Sequence, residues 1–269
     1  MYSFGPGFEL LEGELYLALN TYPTNINKIE SSIAANDSST KYNDKRGFPA
    51  LDYLLFSESN ANLITKFSDR KRISYLKAVS KHLKDLVSKV TNNWVGYESE
   101  FVTKTGLDIG SSTSIIYNQM LASFERTKNF SINLPLGKFV GSPTTNPEKL
   151  PGYYSGISTE LILESIEATD RFWAGKTVNN IDGLGFDDYL EVSERGKGIS
   201  NNTKSQIKIV KEKINLLPIG TTLKDVILSG NKTITDQIYS EVAKTTKFYK
   251  TELPSELGLS IVFGTGDGD

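Results

Sequence analysis

Apolar residues recur at helical spacing along most of this chain, whereas the signals of β-strands are scarce. The clearest repeat lies in residues 68–91, where one face of the predicted helix carries Ile73, Leu76, Val79, Leu83, Leu86 and Val90. Shorter repeats of the same kind predict further helices over 8–20, 25–35, 111–128, 158–174, 185–195, 199–216 and 233–249. We therefore expect an all-α protein whose helices pack as antiparallel bundles.

Proline and glycine interrupt this pattern and indicate how the chain is divided. Residues 131–151 are predicted to form an extended crossover rather than a long helix, because they contain Pro135, Gly137, Gly141, Pro143, Pro147 and Pro151. Residues 94–104 are interpreted as a connector. We expect an N-terminal helical lobe over 1–105 and a C-terminal helical-bundle lobe over 106–269, the latter ending in a disordered acidic tail.

The composition excludes several classes of function. The chain has no cysteine and one histidine, His82, so thiolate chemistry is excluded and a conventional zinc hydrolase site is disfavoured. A net charge of −2, without a basic stripe, argues against a nucleic-acid partner. No apolar run approaches the roughly 20 residues of a transmembrane helix. The first residues lack the basic start of a signal peptide, and we expect an N-terminal portion, with any export signal or lipid anchor, to be missing.

Residues 46–56 combine the signals of a helix start with a single acidic residue. Gly47 can adopt backbone angles closed to other residues, and Pro49 fits the first turn of a helix, where its missing N–H costs nothing. Helical spacing then predicts a buried stripe of Leu51, Leu54 and Leu55. Asp52 lies beside this stripe and is predicted to be in the first turn, where the helix dipole favours an anion. On these signals alone, Asp52 is an ordinary helix-start acid.

This segment, Arg-Gly-Phe-Pro-Ala-Leu-Asp-Tyr-Leu-Leu-Phe, resembles the signature helix of the imelysin family, also called imelysin-like or iron-regulated cell-envelope proteins. The resemblance covers nearly the whole chain, through Phe4-Gly5-Pro6, Tyr22-Pro23-Thr24-Asn25, Asn133-Leu134-Pro135-Leu136-Gly137, Tyr153-Tyr154-Ser155-Gly156 and Gly185-Phe186-Asp187-Asp188-Tyr189-Leu190. It implies a fold of two helical-bundle lobes. It also implies a place in the bacterial cell envelope, as a periplasmic protein or an outer-membrane lipoprotein.

The best-known form of the family motif reads Gly-x-His-x-x-Glu, in which the His and Glu side chains share one helix face and can converge on one ligand. In this chain Gly47 matches, Pro49 stands in place of the His, and Asp52 replaces the Glu. The resemblance therefore implies a non-catalytic envelope protein that binds a small ligand or a metal, linked to iron uptake, in the cleft between the lobes. The cofactor is unknown, with iron and calcium as candidates. A metallopeptidase, the activity for which the family was named, and a purely structural helical lobe are the alternatives.

We expect the ligand to contact Gly47, Pro49, Asp52 and Glu160, and we assign no catalytic residue and no metal ligand. Glu160 forms an acidic pair with Glu164 on the helix predicted over 158–174, and its plain interpretation is a solvent-exposed charge. Because burying an unpaired carboxylate is costly, Asp52 should be hydrogen-bonded. Its expected donors are backbone N–H groups near Gly47, or a basic or hydroxyl side chain of the second lobe.

The remaining polar candidates are weaker. His82 has no second ligand nearby in the sequence and is interpreted as a residue on the surface of its helix. Glu125 and Arg126 end a predicted helix and are expected to face solvent. Asp187 and Asp188 open another predicted helix, so they are expected to be exposed or to cap its N-terminus.

Overall fold

The computed structural model describes residues 14–218 and 220–262, and within these ranges the chain is helical and forms no named strand. The predicted all-α fold is confirmed. The predicted tail spans residues 257–269, of which 263–269 lie outside the described residues, and within the described part Leu259 is buried. No described helix combines the length and the apolar character needed to cross a membrane.

The α-helices of the described residues are α1 (Glu14–Asn20), α2 (Ile26–Ala34), α3 (Gly47–Phe56), α4 (Asn60–Lys66), α5 (Arg70–Thr103), α6 (Ser112–Arg126), α7 (Ser158–Trp173), α8 (Phe186–Leu190), α9 (Glu194–Asn215), α10 (Leu223–Leu228), α11 (Lys232–Lys247) and α12 (Leu253–Leu257). Two π-helical segments, Thr127–Asn133 and Phe248–Glu252, continue α6 and α11 directly. Short helices start at polar caps, as where the Asn25 side chain accepts the N–H of Lys28 at the start of α2.

The chain divides into two compact units. Among the described residues, the N-terminal unit comprises those up to Ser99 together with the distant segment Glu148–Ser158, and the C-terminal unit comprises Glu100–Pro147 and those from Thr159 onward. The boundary between them falls inside α5 and again at the start of α7. The predicted division at residue 105 stays a prediction.

In the N-terminal unit, α3 packs between α2 and α5. The shared core consists of Ile29, Ile33, Ala50, Tyr53, Leu54, Tyr75 and Val79. A second cluster joins α1 to α5 through Leu15, Leu19 and Leu83, and Leu51 of α3 packs against both clusters. Burial of each large apolar side chain contributes about 1.5–3 kcal/mol, so α3 is fixed mainly by its apolar faces.

Two expectations for α3 are wrong. Leu54 is fully buried and Leu51 is partly buried, but Leu55 is 37% exposed. The reason is that the buried face of the helix is centred on Ala50, Tyr53 and Leu54, and Leu55 lies beyond its edge. The helix begins at Gly47, so Asp52 is in its second turn rather than its first. The predicted position of Pro49 in the first turn is confirmed.

The long helix α5 also corrects a prediction, because it continues through residues 94–103, which were expected to form a connector. Tyr97 and Phe101 are buried and extend the apolar repeat of this helix past Val90. Gly96 is exposed and does not end the helix. The aromatic residues that suggested a connector are instead the last apolar positions of one helical face.

The core of the C-terminal unit lies where α6, α7, α9 and α11 meet. Side chains from these four helices, together with Tyr249 of the π-helical segment, surround a void of only about 10 Å³, lined by Phe124, Ile166, Thr169, Ile207, Val210, Val242, Thr245 and Tyr249. Tyr249 is fully buried, and its carbonyl accepts a hydrogen bond from the hydroxyl of Tyr117 on α6 (2.8 Å). The space left between these helices is therefore no larger than about one water molecule requires.

Gly47 lies at a close backbone approach within the N-terminal unit. It has φ +80°, and a Cβ atom placed there would lie 2.4 Å from the carbonyl oxygen of Leu19, at the end of α1. A side chain at this position would meet backbone rather than a movable side chain. Glycine is therefore required both by the backbone conformation and by the approach of α1 to the start of α3.

We expect Gly47→Ala to lower the free energy of unfolding by about 1–3 kcal/mol or more, because it combines a left-handed backbone with a clash against Leu19. The measurement is urea denaturation. Gly96→Ala is the matched control, since a Cβ at Gly96 meets nothing within 4 Å. In the exposed interior of α5, this control should raise stability by about 0.5–1 kcal/mol. Equal effects of the two substitutions would contradict the role assigned to Gly47.

Candidate functional site

The carboxylate of Asp52 binds a segment that lies far away in the sequence. Its Oδ2 accepts the backbone N–H of Tyr154 (2.8 Å), and its Oδ1 accepts the backbone N–H of Ser155 (3.0 Å). Both oxygens are thus engaged by successive peptide groups. The expectation of backbone N–H donors was right in kind, but the donors are these two residues rather than groups near Gly47.

The segment that Asp52 holds is a tight turn with a glycine at each end. Gly152 and Gly156 both have positive φ, and the N–H of Gly156 donates to the carbonyl of Gly152 (2.9 Å). The ring of Tyr154 contacts the ring of Tyr53 edge-on, with centroids 5.4 Å apart. The segment Glu148–Ser158 is therefore attached to α3 by two charge-assisted hydrogen bonds and an aromatic contact.

The predicted ligand-binding residues are in different surroundings. Gly47 is buried at the start of α3, whereas Pro49 and Asp52 are half-buried on the same helix. Glu160 is exposed on α7, and it belongs to the C-terminal unit. Gly47 and Asp52 both have structural roles: Gly47 allows the close approach of α1, and Asp52 accepts the N–H groups of residues 154 and 155. A role in ligand binding for these four residues stays a prediction.

The motif positions do not suit a metal ion. A divalent metal bound at the family motif would take a His nitrogen and a carboxylate oxygen from one helix face. Pro49 has no side-chain donor atom, and both carboxylate oxygens of Asp52 already accept peptide N–H groups. The donor set at this position is therefore that of a hydrogen-bonded carboxylate, and it does not fit a metal centre.

Arg46, immediately before α3, contacts the chain's only histidine. Its Nη1 donates to the carbonyl of Thr40 (2.7 Å) and lies 3.0 Å from Nε2 of His82, while its Nη2 donates to the side chain of Asn43. Because a guanidinium can only donate, Nε2 of His82 must be the acceptor and the ring must be neutral. Burial, with a smaller contribution from the Arg46 charge, lowers the pKa of His82. His82 is therefore a structural partner of Arg46 and not a bare surface residue.

Two further polar contacts fix the chain around the motif helix. The Glu30 carboxylate of α2 accepts from the hydroxyl of Tyr53 (2.6 Å) and from Arg72 of α5 (2.5 Å). Burial, followed by the hydrogen bond to Glu30, raises the pKa of Tyr53. The buried Lys45 donates to Ser32 (3.0 Å). These contacts tie α2 and α5 to the start and middle of α3.

Such contacts have only a weak signal in the sequence. Arg46 was visible as part of the motif segment, and Tyr153-Tyr154-Ser155-Gly156 was visible as a segment that resembles the family. Neither pattern indicates which residue pairs with which, because the partners are separated by 36 residues for Arg46 and His82 and by 102 for Asp52 and Tyr154.

In the C-terminal unit, the expectation that Glu125 faces solvent is wrong. Glu125 is only 7% exposed, and its Oε2 lies 2.9 Å from Nζ of Lys128 and accepts from the amide of Asn129 (3.2 Å). Lys250, from the second π-helical segment, is 3.7 Å from the same oxygen. The π-helical path of 127–133 brings Lys128 and Asn129 inward beside Glu125, which a regular helix pattern does not predict.

Asp187 and Asp188 behave differently from each other. Asp188 is exposed and accepts the N–H of Gly185 (2.7 Å), so it caps the start of α8 as predicted. Asp187 is 8% exposed and pairs with Lys204 of α9 (3.1 Å), so the expectation of a solvent-exposed acid is wrong for it. Glu164 is exposed and pairs with Arg171 on its own helix. None of these carboxylates forms a group of three or more metal-binding side chains within the described residues.

Comparison with models of known protein families shows which family the chain belongs to. The family model described as imelysin matches residues 4–248. The chain belongs to the imelysin family. The resemblance first noted in the motif helix is thereby confirmed over most of the sequence.

A solved structure supports the imelysin-like fold independently. The chain is similar to the crystal structure of a protein assigned as an iron-regulated protein A precursor from Parabacteroides distasonis, with a TM-score of 0.74 and 15% sequence identity. The similarity covers 95% of this chain and 77% of that chain. No curated protein matches the sequence. At this level of identity the similarity establishes the fold and not a shared activity.

We expect Asp52→Asn to lower the free energy of unfolding by about 1–3 kcal/mol, because the NH2 group that replaces one carboxylate oxygen cannot accept and leaves one peptide N–H of 154–155 without an acceptor. The measurement is urea denaturation at neutral pH. Asp85→Asn is the matched control, since Asp85 is exposed on α5 and pairs with Lys81 across the surface. The control should change stability by less than about 0.5 kcal/mol. If both substitutions have the same small effect, Asp52 does not hold the segment.

Proposed function

We propose that this chain is a non-catalytic imelysin-family protein of the bacterial cell envelope, which acts by binding a ligand in a process linked to iron. The observation that carries the proposal is the state of the motif. Pro49 supplies no donor, and the Asp52 carboxylate accepts the N–H groups of Tyr154 and Ser155. At these two motif positions the chain has a proline in the first turn of α3 and a carboxylate that holds residues 154–155 by hydrogen bonds.

Hydrolysis of a peptide bond needs a group that activates water and a group that stabilises the developing oxyanion. In a metallopeptidase a bound metal supplies both, held by two or more side chains. The motif helix of this chain offers no such set. His82, which lies beside the start of α3, accepts a hydrogen bond from Arg46 through Nε2. Its geometry is that of a neutral, structurally engaged ring.

The proposed location in the cell envelope and the proposed link to iron are based on the family of the chain and on a similar solved structure. The chain belongs to the imelysin family, and the similar solved structure carries the name of an iron-regulated protein precursor. The bound ligand is proposed to be a small molecule, or a metal ion such as iron or calcium held away from the motif positions. A lipid anchor and a role in ligand binding for Gly47, Pro49, Asp52 and Glu160 remain parts of this proposal.

The purified full chain is expected to cleave an unfolded protein substrate such as reduced casein no faster than buffer does, with zinc, iron or calcium added. The physical reason is the missing donor at Pro49 and the engaged carboxylate at Asp52. Cleavage is measured by gel electrophoresis, with and without a chelator. Chelator-sensitive cleavage that Asp52→Ala abolishes would contradict the proposal and favour the metallopeptidase.

Ligand binding, the second part of the proposal, is tested by a separate measurement. Native mass spectrometry of the protein isolated from the envelope fraction of iron-limited cells should show a discrete added mass that is lost on unfolding. A bare polypeptide mass in that sample would contradict ligand binding and favour a purely structural role.

A further inference from the structure

The ring of His82, the chain's single histidine, is surrounded by groups that suit its neutral form and not its charged form. Nε2 lies 3.0 Å from Nη1 of Arg46, which can only donate, so the ring carries its proton on Nδ1. Nδ1 is itself buried and finds no acceptor among the described residues. A protonated ring would therefore present two N–H groups to surroundings that offer an acceptor for neither.

The charged groups around the ring also favour its neutral form. Arg46, from the segment before α3, places a positive charge against Nε2, and Asp85 acts on the ring from its own helix, α5. Asp85 is exposed and pairs with Lys81 (2.6 Å), which weakens its attraction for an imidazolium. Burial and the Arg46 charge outweigh this attraction and lower the pKa of His82. Protonation of the ring consequently requires the guanidinium to move away.

The same guanidinium attaches the exposed segment that precedes it. The Nη1 atom that faces His82 donates to the carbonyl of Thr40 (2.7 Å), and Nη2 donates to the side chain of Asn43. Lys41 and Tyr42, which lie between these two contacts, are exposed. Because one nitrogen of Arg46 makes the hydrogen bonds to both Thr40 and His82, a guanidinium that moves away from the ring also gives up the contact with Thr40.

The residues closest to α3 are held by contacts that do not involve His82. The carbonyl of Asp44 accepts the N–H of Asn25 (2.6 Å), and the carbonyl of Lys45 accepts the hydroxyl of Tyr75 on α5 (2.7 Å). The carboxylate of the first and the ammonium group of the second are engaged by side chains of α2. A movement of Arg46 therefore frees residues 39–42 and leaves the start of α3 in place.

We propose that His82 and Arg46 form a pH-sensitive switch, which holds residues 39–42 in neutral solution and releases them in acid. Because the pKa of the folded protein lies below the ordinary value of about 6.5, the contribution of the contact to stability is fully present above that pH. It is lost as the pH falls through the pKa of the folded protein. The switch does not depend on the proposed function, since neither residue is among the proposed ligand contacts.

The test is nuclear magnetic resonance of the isotope-labelled full chain between about pH 8 and pH 5. A single histidine gives one set of ring signals, so the ring nitrogen shifts report the tautomer and the pKa of His82. We expect the proton on Nδ1 at the upper pH and a midpoint below about 6.5. Over the same transition, the amide order parameters of residues 39–42 should fall from about 0.85 to below about 0.6, while that of Leu54 is retained.

His82→Gln separates the switch from a general effect of acid, because its amide oxygen can accept from Arg46 and does not titrate. Residues 39–42 should stay ordered at both pH values in this variant. In Asp85→Asn, which removes the attraction of a nearby carboxylate, the ring midpoint and the loss of order should move together to lower pH.

Three results would overturn the proposal. The first is equal order of residues 39–42 at both pH values in the wild-type protein. The second is a ring proton on Nε2 at the upper pH, and the third is the same loss of order in His82→Gln as in the wild type. The amide spectra themselves show whether each variant is folded.

Discussion

The two hydrogen bonds that the Asp52 carboxylate accepts from Tyr154 and Ser155 join parts of the sequence separated by 102 and 103 residues. They attach Glu148–Ser158 to the motif helix and so make it part of the N-terminal unit. A chain that leaves this unit within α5 and returns for eleven residues must be held by specific contacts, because closing so long a loop costs conformational entropy. Asp52 and the Tyr53–Tyr154 contact supply them.

The shape of the motif helix follows from its packing, although Pro49 and Asp52 stand where the family motif has a His and a Glu. Gly47 still allows α1 to approach the start of α3, and Ala50, Tyr53 and Leu54 still bury its inner face. Around the helix, Arg46 is held by Thr40 and His82. These are requirements of packing and hydrogen bonding within the protein. The shape of this helix therefore does not depend on a His and a Glu at the motif positions.

Helical periodicity predicted the all-α class and most of the helices, because burial of one face imposes the spacing of apolar residues. The position of Pro49 followed from the tolerance of proline in the first turn of a helix. The predictions from periodicity were wrong where one residue type is common in two kinds of structure or environment. Tyr97 and Phe101 extend α5, although aromatic residues near a glycine also suit a connector. Glu125 is buried because a π-helical segment places Lys128 beside it. The partners of Asp52 could not be predicted, because a carboxylate that binds backbone N–H groups places no demand on the side chains of its partners.

The central claim is that Asp52 holds the 154–155 peptide groups to the motif helix, and amide hydrogen exchange measures this contact directly. In the native protein, the N–H groups of Tyr154 and Ser155 should exchange at least about tenfold more slowly than in an unstructured peptide, as hydrogen-bonded amides do. In Asp52→Asn, their protection should fall while that of Leu54 in the core of α3 is retained. Unprotected exchange at both residues in the native protein would contradict the account.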